Sequence, residues 1–179
     1  KNMIKKIGII GVGVVGGAVA SVIPSALTYD KYKKIGSIEE VNQADIIFIC
    51  VNTPYTEETG FDLSAVDDAI SIMEGEKIIV IKSTVLPGST QMMQDKYSQH
   101  AILFNPEFLR QVCANEDMKN PSEQIVGYTK KSKPFAEEII SILPKSPHDF
   151  IVPAKEAEMA KYFSNSFLAV KVIFANQIY

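Results

Sequence analysis

Cysteine and histidine are scarce in this 179-residue chain, with two of each. Cys50 and Cys113 form no CxxC pair and no closely spaced framework. That argues against a disulfide scaffold and for a reducing compartment, the cytoplasm. His100 and His148 stand far apart with no partner at ligand spacing, so no metal site is expected. A dominant charge is also missing: 18 Lys and Arg face 21 Asp and Glu, for a net charge of −3. No basic field favours nucleic acid or anionic lipid. The densest basic cluster, Lys31, Lys33 and Lys34, is too small for a polyanion track and reads as a solvated turn. No apolar run is long enough to span a bilayer. The N-terminal apolar run contains GVGVVGG, which reads as a turn and not as a leader. Neither a nucleic-acid nor a membrane partner is therefore expected. Internal repeats and low-complexity tracts are absent.

What is present is an ordinary globular mix, 46% hydrophobic and 22% charged. Short β-branched runs alternate with helical patterns, the mark of βαβ units in an α/β fold with a parallel sheet and helices on both faces. Strands are expected at 5–10, 25–29, 45–51, 77–83, 100–104, 123–128 and 149–153. Helices are expected over 14–23, stopped by Pro24; over 38–43, opened by a Ser37/Glu40 capping box; from Asp62 or Ser64 to Met73; from Pro87-Gly88 to about Tyr97; and over 133–143, stopped by Pro144. Residues 51–60 read as a loop, and 105–120 as a loop or short helices. From Ala154 to Tyr179 the pattern is helical without a breaker, a rod of about 39 Å at 1.5 Å per residue. Its apolar residues lie on several faces, a pattern that is normally buried. The chain thus divides into a domain over 1–153 and a long joining helix over 154–179, and the helix calls for a partner.

Gly11-Val12-Gly13-Val14-Val15-Gly16 matches GxGxxG directly after a strand and before a helix, the setting of a Rossmann-type dinucleotide site. The first glycine makes the tight turn, the second lets backbone approach a pyrophosphate, and the third lets helix and strand pack closely. The helix N-terminus offers N–H groups and a positive dipole end to the phosphates. Asp30 ends the second strand, about 20 residues on, where a carboxylate accepts from the adenosine ribose hydroxyls and favours NAD over NADP. A strand-end turn residue is the plainer reading of Asp30, and the neighbouring lysines soften the exclusion of a 2′-phosphate.

Further residues gather at strand ends, where open α/β sheets bind ligands. Thr53-Pro54 follows one strand, and its hydroxyl and backbone are placed to contact a cofactor, unless it is a simple Thr-Pro turn. Ser83 and Thr84 end another, either beside a cofactor or as hydroxyl caps. Glu107 lies in a loop at the same edge. Shielded by Phe104, Phe108 and Leu109, it suits acid/base work with a raised pKa. Arg110 pairs with a diphosphate or faces solvent. Glu158, Lys161 and Asn165 share one helix face. Lys161 and Asn165 suit stabilisation of an oxyanion, whereas Glu158 with Lys161 also reads as a surface ion pair.

Four segments together resemble the UDP-glucose/GDP-mannose dehydrogenase family: VNTP (51–54) followed by FDLSAVDDAI (61–70), KSTVLPGST (82–90), FNPEFLRQ (104–111) and EAEMAKYFSNSFLAVKVIFANQ (156–177). Their order and spacing agree across residues 5–179. The resemblance implies an NAD-dependent oxidation of the C6 alcohol of a UDP-sugar, UDP-glucose foremost, in polysaccharide biosynthesis. It implies that Thr84 helps hold a catalytic water and that Glu107 is an acid/base. The segment Phe108-Leu109-Arg110 would contact the UDP-sugar, with Lys161 and Asn165 at the reacting alcohol. Lys34, Val51 and Gln111 complete the expected cofactor contacts. A homodimer through the C-terminal helix is the expected assembly.

Complete members of that family oxidise alcohol to aldehyde and then, through a cysteine thioester, to acid, consuming two NAD. Their cysteine lies in a GxCxPKD-like motif beyond the joining helix, and this sequence has none. Cys50 sits inside a strand. Cys113 sits in a loop with no adjacent base or cation, so neither is expected to be a nucleophile. The segment from Lys31 to Ala44 is shorter than the family's. Gln111, Val112 and Glu123 stand where Glu, Gly and Arg are usual. The expectation is therefore a part of such an enzyme that binds NAD without completing the oxidation. The alternatives are a non-catalytic nucleotide-binding protein of the same ancestry, or a dehydrogenase of the 6-phosphogluconate or β-hydroxyacid type.

Overall fold

A computed structural model describes residues 5–57 and 60–179. The chain runs β1 (Ile7–Ile10), α1 (Val14–Val22), β2 (Leu27–Tyr29), α2 (Ile38–Val41), β3 (Ile46–Ile49), β4 (Tyr55–Thr56), β5 (Gly60–Phe61), α3 (Ser64–Ser71), β6 (Ile78–Ile81), α4 (Ser89–Lys96), β7 (Ala101–Phe104), α5 (Ala114–Lys119), β8 (Gln124–Tyr128), α6 (Ala136–Ile142), β9 (Asp149–Pro153) and α7 (Ala154–Ile178). Seven strands make one sheet in the order β2-β1-β3-β6-β7-β8-β9.

The strands are apolar at successive positions because both faces are covered. Ile47 and Ile49 of β3, Ile79 and Ile81 of β6, and Ile102 and Phe104 of β7 point to one side, against α2, α3, α4 and the start of α7. Ile46, Phe48, Ile78, Val80 and Leu103 point to the other, against α1, α5 and α6. Each such side chain, once fully buried, contributes about 1.5–3 kcal/mol.

The sheet is parallel except at one junction, where β8 runs antiparallel to β7. The sheet is thus mostly parallel, as the α/β reading expects, with one antiparallel neighbour. The connection after Phe104 turns back at the strand's own carboxyl end, and the carboxamide of Asn105 donates to the carbonyl of Ile125 at 2.8 Å. A return at the same edge can only produce an antiparallel neighbour. The short segment after β2 has a matching effect. A tight turn bridges Asp30 to Ile35, and α2 then leads directly into β3. β2 lies on one side of β1 and β3 on the other, so the strand order reverses between β1 and β3, where such sheets open a ligand crevice.

Local signals behave as their chemistry requires. Ser37 and Glu40 form the reciprocal capping box, both bonds at 3.1 Å. Asp62 accepts from the N–H of Ser64 at 2.8 Å and so opens α3. The expected helix over 133–143 is a 3-10 turn at Lys133–Phe135 followed by α6. The loop expected over 51–60 contains the β4–β5 pair, held by the edge-on rings of Tyr55 and Phe61 at 5.4 Å. Glu58 and Thr59 of that loop lie outside the described residues, as do residues 1–4.

α7 is seated by the absence of a side chain at Gly127 of β8. A Cβ there would stand 2.7 Å from the Cβ of Ala157 and 2.9 Å from the Cα of Ala154. Ala154, Ala157, Glu158 and Lys161 are buried, whereas the apolar side chains from Phe163 to Ile178 are exposed. No helix among the described residues is long and apolar enough to cross a membrane.

Candidate functional site

The carboxyl ends of β1, β3, β6 and β7 form one edge, and nearly all the residues singled out from the sequence sit there. Gly11 follows β1 with φ of +87°, a conformation open to glycine and strained for other residues. A Cβ on Gly16 would run into the carbonyl oxygen of Gly11, so α1 can start here only on a glycine. Gly13 caps α1 without a side-chain acceptor, and a Cβ on it would meet nothing within 4 Å. The first N–H groups of α1 therefore look into open space beside Val12 and the half-buried Val15, a cradle suited to a pyrophosphate. Val14 is exposed on the first turn of α1.

Asp30 stands beside this turn and is buried. Its carboxylate accepts from the N–H of Val12 at 2.8 Å, Tyr32 at 3.0 Å and Lys33 at 2.8 Å. Burial pushes its pKa up, but those N–H groups and the Lys33 ammonium outweigh it, and the net shift is downward. An ionised carboxylate with acceptor capacity left on Oδ2 suits a ribose hydroxyl. Lys33 donates to the carbonyl of Val12 at 2.6 Å. Sequence reasoning chose Lys34 from this turn; Lys34 is exposed with φ of 55°, and it is Lys33 that touches the glycine turn.

The ends of β3 and β6 are tied together by hydroxyls. Thr53 donates to the carbonyl of Thr84 at 2.6 Å, and Ser83 donates to that of Val51 at 2.6 Å. Both hydroxyl protons are thus used inside the protein, leaving the oxygens as acceptors toward a ligand. Thr84 and Val51 are half-buried and Pro54 is exposed along the same rim.

Beyond β7, α7 brings Lys161 onto Glu107. The Lys161 ammonium lies 2.8 Å from Oε1 of Glu107 and also donates to the Glu107 carbonyl. Both side chains are well shielded, at 6% and 15% exposure. The second carboxylate oxygen accepts from the N–H of Leu109 at 2.9 Å, and the Phe108 ring lies 5.5 Å from the ammonium. The apolar shield expected around Glu107 is therefore broken by a cation and a backbone donor. Glu158 does not pair with Lys161. It is buried and accepts from the N–H groups of Gly88 at 2.5 Å and Thr90 at 2.7 Å, capping α4. Asn165, one turn beyond Lys161, is exposed.

Arg110 faces solvent, the second of its two expected places, and is held there by an acidic partner. Its guanidinium forms a bidentate pair with Asp117, at 2.7 and 3.1 Å, and its own N–H donates to the same carboxylate at 2.8 Å. The hydrogen bonds of that pair raise the Arg110 pKa and lower that of Asp117. The Cys113 thiol also donates to Asp117. Cys113 thus has charged neighbours that its flanking residues did not reveal. Burial and the Asp117 carboxylate push its pKa up, so it is not an activated thiolate. Burial pushes Cys50 up to about 12. Gln111 is exposed in a 3-10 turn beside Arg110.

A cavity of about 290 Å³ opens next to this loop, lined among others by Lys82, Glu107, Phe108, Leu109, Arg110 and Gln124. Lys82 and Asn105 were not singled out from the sequence. Both are buried, and the Lys82 ammonium donates to the Asn105 carboxamide oxygen at 2.5 Å. A lysine inside an otherwise apolar strand end is the one signal that marks such a residue beforehand.

Comparison with known proteins agrees with this geometry. The profile described as UDP-glucose/GDP-mannose dehydrogenase family, NAD binding domain, matches residues 19–143. The UDP-glucose 6-dehydrogenase of Rickettsia felis is 37% identical over 149 residues, covering 78% of this chain and 33% of that protein. An uncharacterized protein of Methanocaldococcus jannaschii is 34% identical over 155 residues, covering 79% of this chain and 17% of that protein. Among solved structures, a UDP-glucose dehydrogenase from Pyrobaculum islandicum superposes with a TM-score of 0.82 at 24% identity, covering 98% of this chain and 52% of the other. A GDP-mannose dehydrogenase from Pseudomonas aeruginosa superposes with a TM-score of 0.79 at 24% identity, over 97% and 52%. The chain thus spans about a third of that Rickettsia enzyme and about half of these two solved chains.

Proposed function

The chain belongs to the UDP-glucose/GDP-mannose dehydrogenase family and carries its NAD-binding domain, and from that premise we propose that it is the cofactor-binding part of a nucleotide-sugar dehydrogenase acting at the C6 alcohol of a UDP-sugar. UDP-glucose is the foremost candidate. In this reading residues 1–153 form the cofactor domain and 154–179 the joining helix. NAD, when bound, supplies the hydride acceptor.

The observation that carries the proposal is the Lys161–Glu107 pair, held at 2.8 Å at the carboxyl edge of the sheet. The glycine turn and α1 would hold the pyrophosphate, and Asp30 the adenosine ribose. Val51, Thr53, Pro54, Ser83 and Thr84 would line the cofactor's path, with Lys34 and Gln111 at its rim. Lys161 and Asn165 would stabilise the oxygen of the alcohol as it loses its proton and hydride, in a site that excludes much of the water. Glu107 would exchange the proton, and Thr84 would help hold a water. The backbone of Phe108 and Leu109 would position the sugar nucleotide, while Arg110, clamped by Asp117, stabilises the loop that presents them.

The exposed apolar face of α7 supports self-association through that helix as part of the same reading. The test is a titration of the chain with NADH followed by cofactor fluorescence, against a protein background that contains no Trp. Saturable binding is expected, poorer for NADPH and weakened by Asp30→Ala. UDP-glucose is expected to protect the Lys161 amine from acylation. Absence of both effects would overturn the proposal, and steady conversion of UDP-glucose to the acid by this chain alone would overturn its restriction to a part of the reaction.

A further inference from the structure

Lys82 follows β6 directly beneath the loop that carries Glu107. It is 3% exposed and borders the cavity beside that loop. Its ammonium has three N–H groups but one close acceptor, the Asn105 carboxamide oxygen at 2.5 Å, with the Asn105 carbonyl at 3.5 Å. Asn105 is itself clamped: its N–H donates to Ile81 at 2.9 Å and its carboxamide donates to Ile125 at 2.8 Å. Lys82 therefore fixes the root of the segment that presents Glu107 two residues later.

Three ionisable groups act on the Lys82 ammonium through space. Cys50 comes from the end of β3, Glu107 from the loop after β7, and Lys161 from α7. Cys50 stays a thiol, since burial holds its pKa at about 12. Lys161 pairs with Glu107 at 2.8 Å, and Lys82 places a second ammonium on the cavity that Glu107 also lines. A buried ammonium is expensive unless opposite charge or good acceptors surround it. A purely packing role at this position would be better filled by an apolar side chain.

We propose that Lys82 is a positioning residue of the Glu107–Lys161 pair, clamping the Glu107 loop through Asn105 and adding a second positive charge beside that pair. The importance of the pair rests on the function proposed above; the coupling among the three side chains does not. Burial lowers the Lys82 pKa to about 8, so a mild rise in pH removes one of the two cations. The Glu107–Lys161 pair then loses that second positive charge from its surroundings. The site has two electrostatic settings, selected by a group that reaches the reacting atoms only through its neighbours.

The test is NMR of the chain carrying ¹³C-labelled lysine and glutamate, followed from about pH 6 to about pH 10 across the lysine range. The Lys82 signal is expected to titrate near pH 8, with steps in the Lys161 Cε and Glu107 Cδ signals at the same midpoint. In Lys82→Met that step disappears, and in Lys82→Arg both signals stay at their low-pH positions. A Lys82 titration that leaves the Lys161 and Glu107 signals unmoved in the unaltered protein overturns the proposal, with no variant required. Failure of the same samples to bind UDP-glucose while the coupled step persists counts against the proposed function and supports the coupling.

Discussion

The carboxylate of Glu158 on α7 lies 2.7 Å from the backbone nitrogen of Thr90, accepting its N–H inside the first turn of α4. Together with the bond from Gly88, this joins the long helix to the sheet domain at the point where Lys161, one turn on, reaches Glu107. Glu158→Ala leaves two donors without their acceptor. It is expected to cost about 2–5 kcal/mol, at roughly 1–3 kcal/mol for each buried donor left unsatisfied. Glu158→Gln keeps one acceptor and should lose less. Urea denaturation measures both, and a loss below about 1 kcal/mol for the alanine variant would remove Glu158 from this role.

Gly127 sets how closely α7 approaches β8. Gly127→Ala places a Cβ 2.7 Å from that of Ala157, and the helix has to shift outward. Overpacking of this kind costs about 1–3 kcal/mol. The shift also draws Lys161 away from Glu107, so the Lys161 amine becomes more reactive toward acylating reagents. Ala157→Gly in the same chain should recover part of the stability, but not all, because the Ala154 Cα remains 2.9 Å away.

The buried Lys82 gives stability a specific dependence on pH. Its pKa falls from 10.5 to about 8 on folding, so between those values the unfolded chain binds more protons and stability rises with pH. The destabilisation is complete below about pH 8 and is relieved toward 10.5, by up to roughly 3 kcal/mol at 1.36 kcal/mol per unit. Cys50 acts the other way: its pKa is raised from 9.0 to about 12, so its contribution is present below 9 and lost above. The difference between the unaltered chain and Lys82→Met isolates the lysine. That difference should favour the variant near neutral pH and shrink as pH rises. A difference that stays flat with pH would show that folding does not shift the Lys82 pKa.

Beyond Lys161 the helix exposes Phe167, Leu168, Val170, Ile173 and Phe174, each more than half accessible. Self-association is expected at tens of micromolar, within the range of weak apolar interfaces. Light scattering on Phe167→Glu and Phe174→Glu should give monomers whose NADH binding is unchanged, since neither residue is near the glycine turn. A monomeric unaltered chain at these concentrations would remove this helix face as an interface.

The legible parts of this protein were those encoded by neighbours in sequence. The strand at 46–49 was visible from an unbroken apolar run, the helix at 38–41 from a capping box, and the tight turn into α1 from three glycines at fixed spacing. The partner of Lys82 was not legible, because its neighbours in KSTVLPGST say nothing about the Asn105 carboxamide that meets it. Arg110 was ambiguous for the same reason. Its partner Asp117 is set by how the loop folds onto α5, and the same fold brings Asp117 to Cys113.

Local chemistry alone therefore determined the kinds of element, the place of the glycine turn and the candidate residues at the strand ends. Backbone geometry and side-chain periodicity act over a few residues and leave a pattern in the chain. Only the tertiary structure decided that β8 runs against β7, that Glu158 caps α4 and leaves Lys161 to Glu107, and that Lys82 meets Asn105. Those outcomes depend on where a chain returns after 20 to 70 residues, and no local pattern records the partner met there.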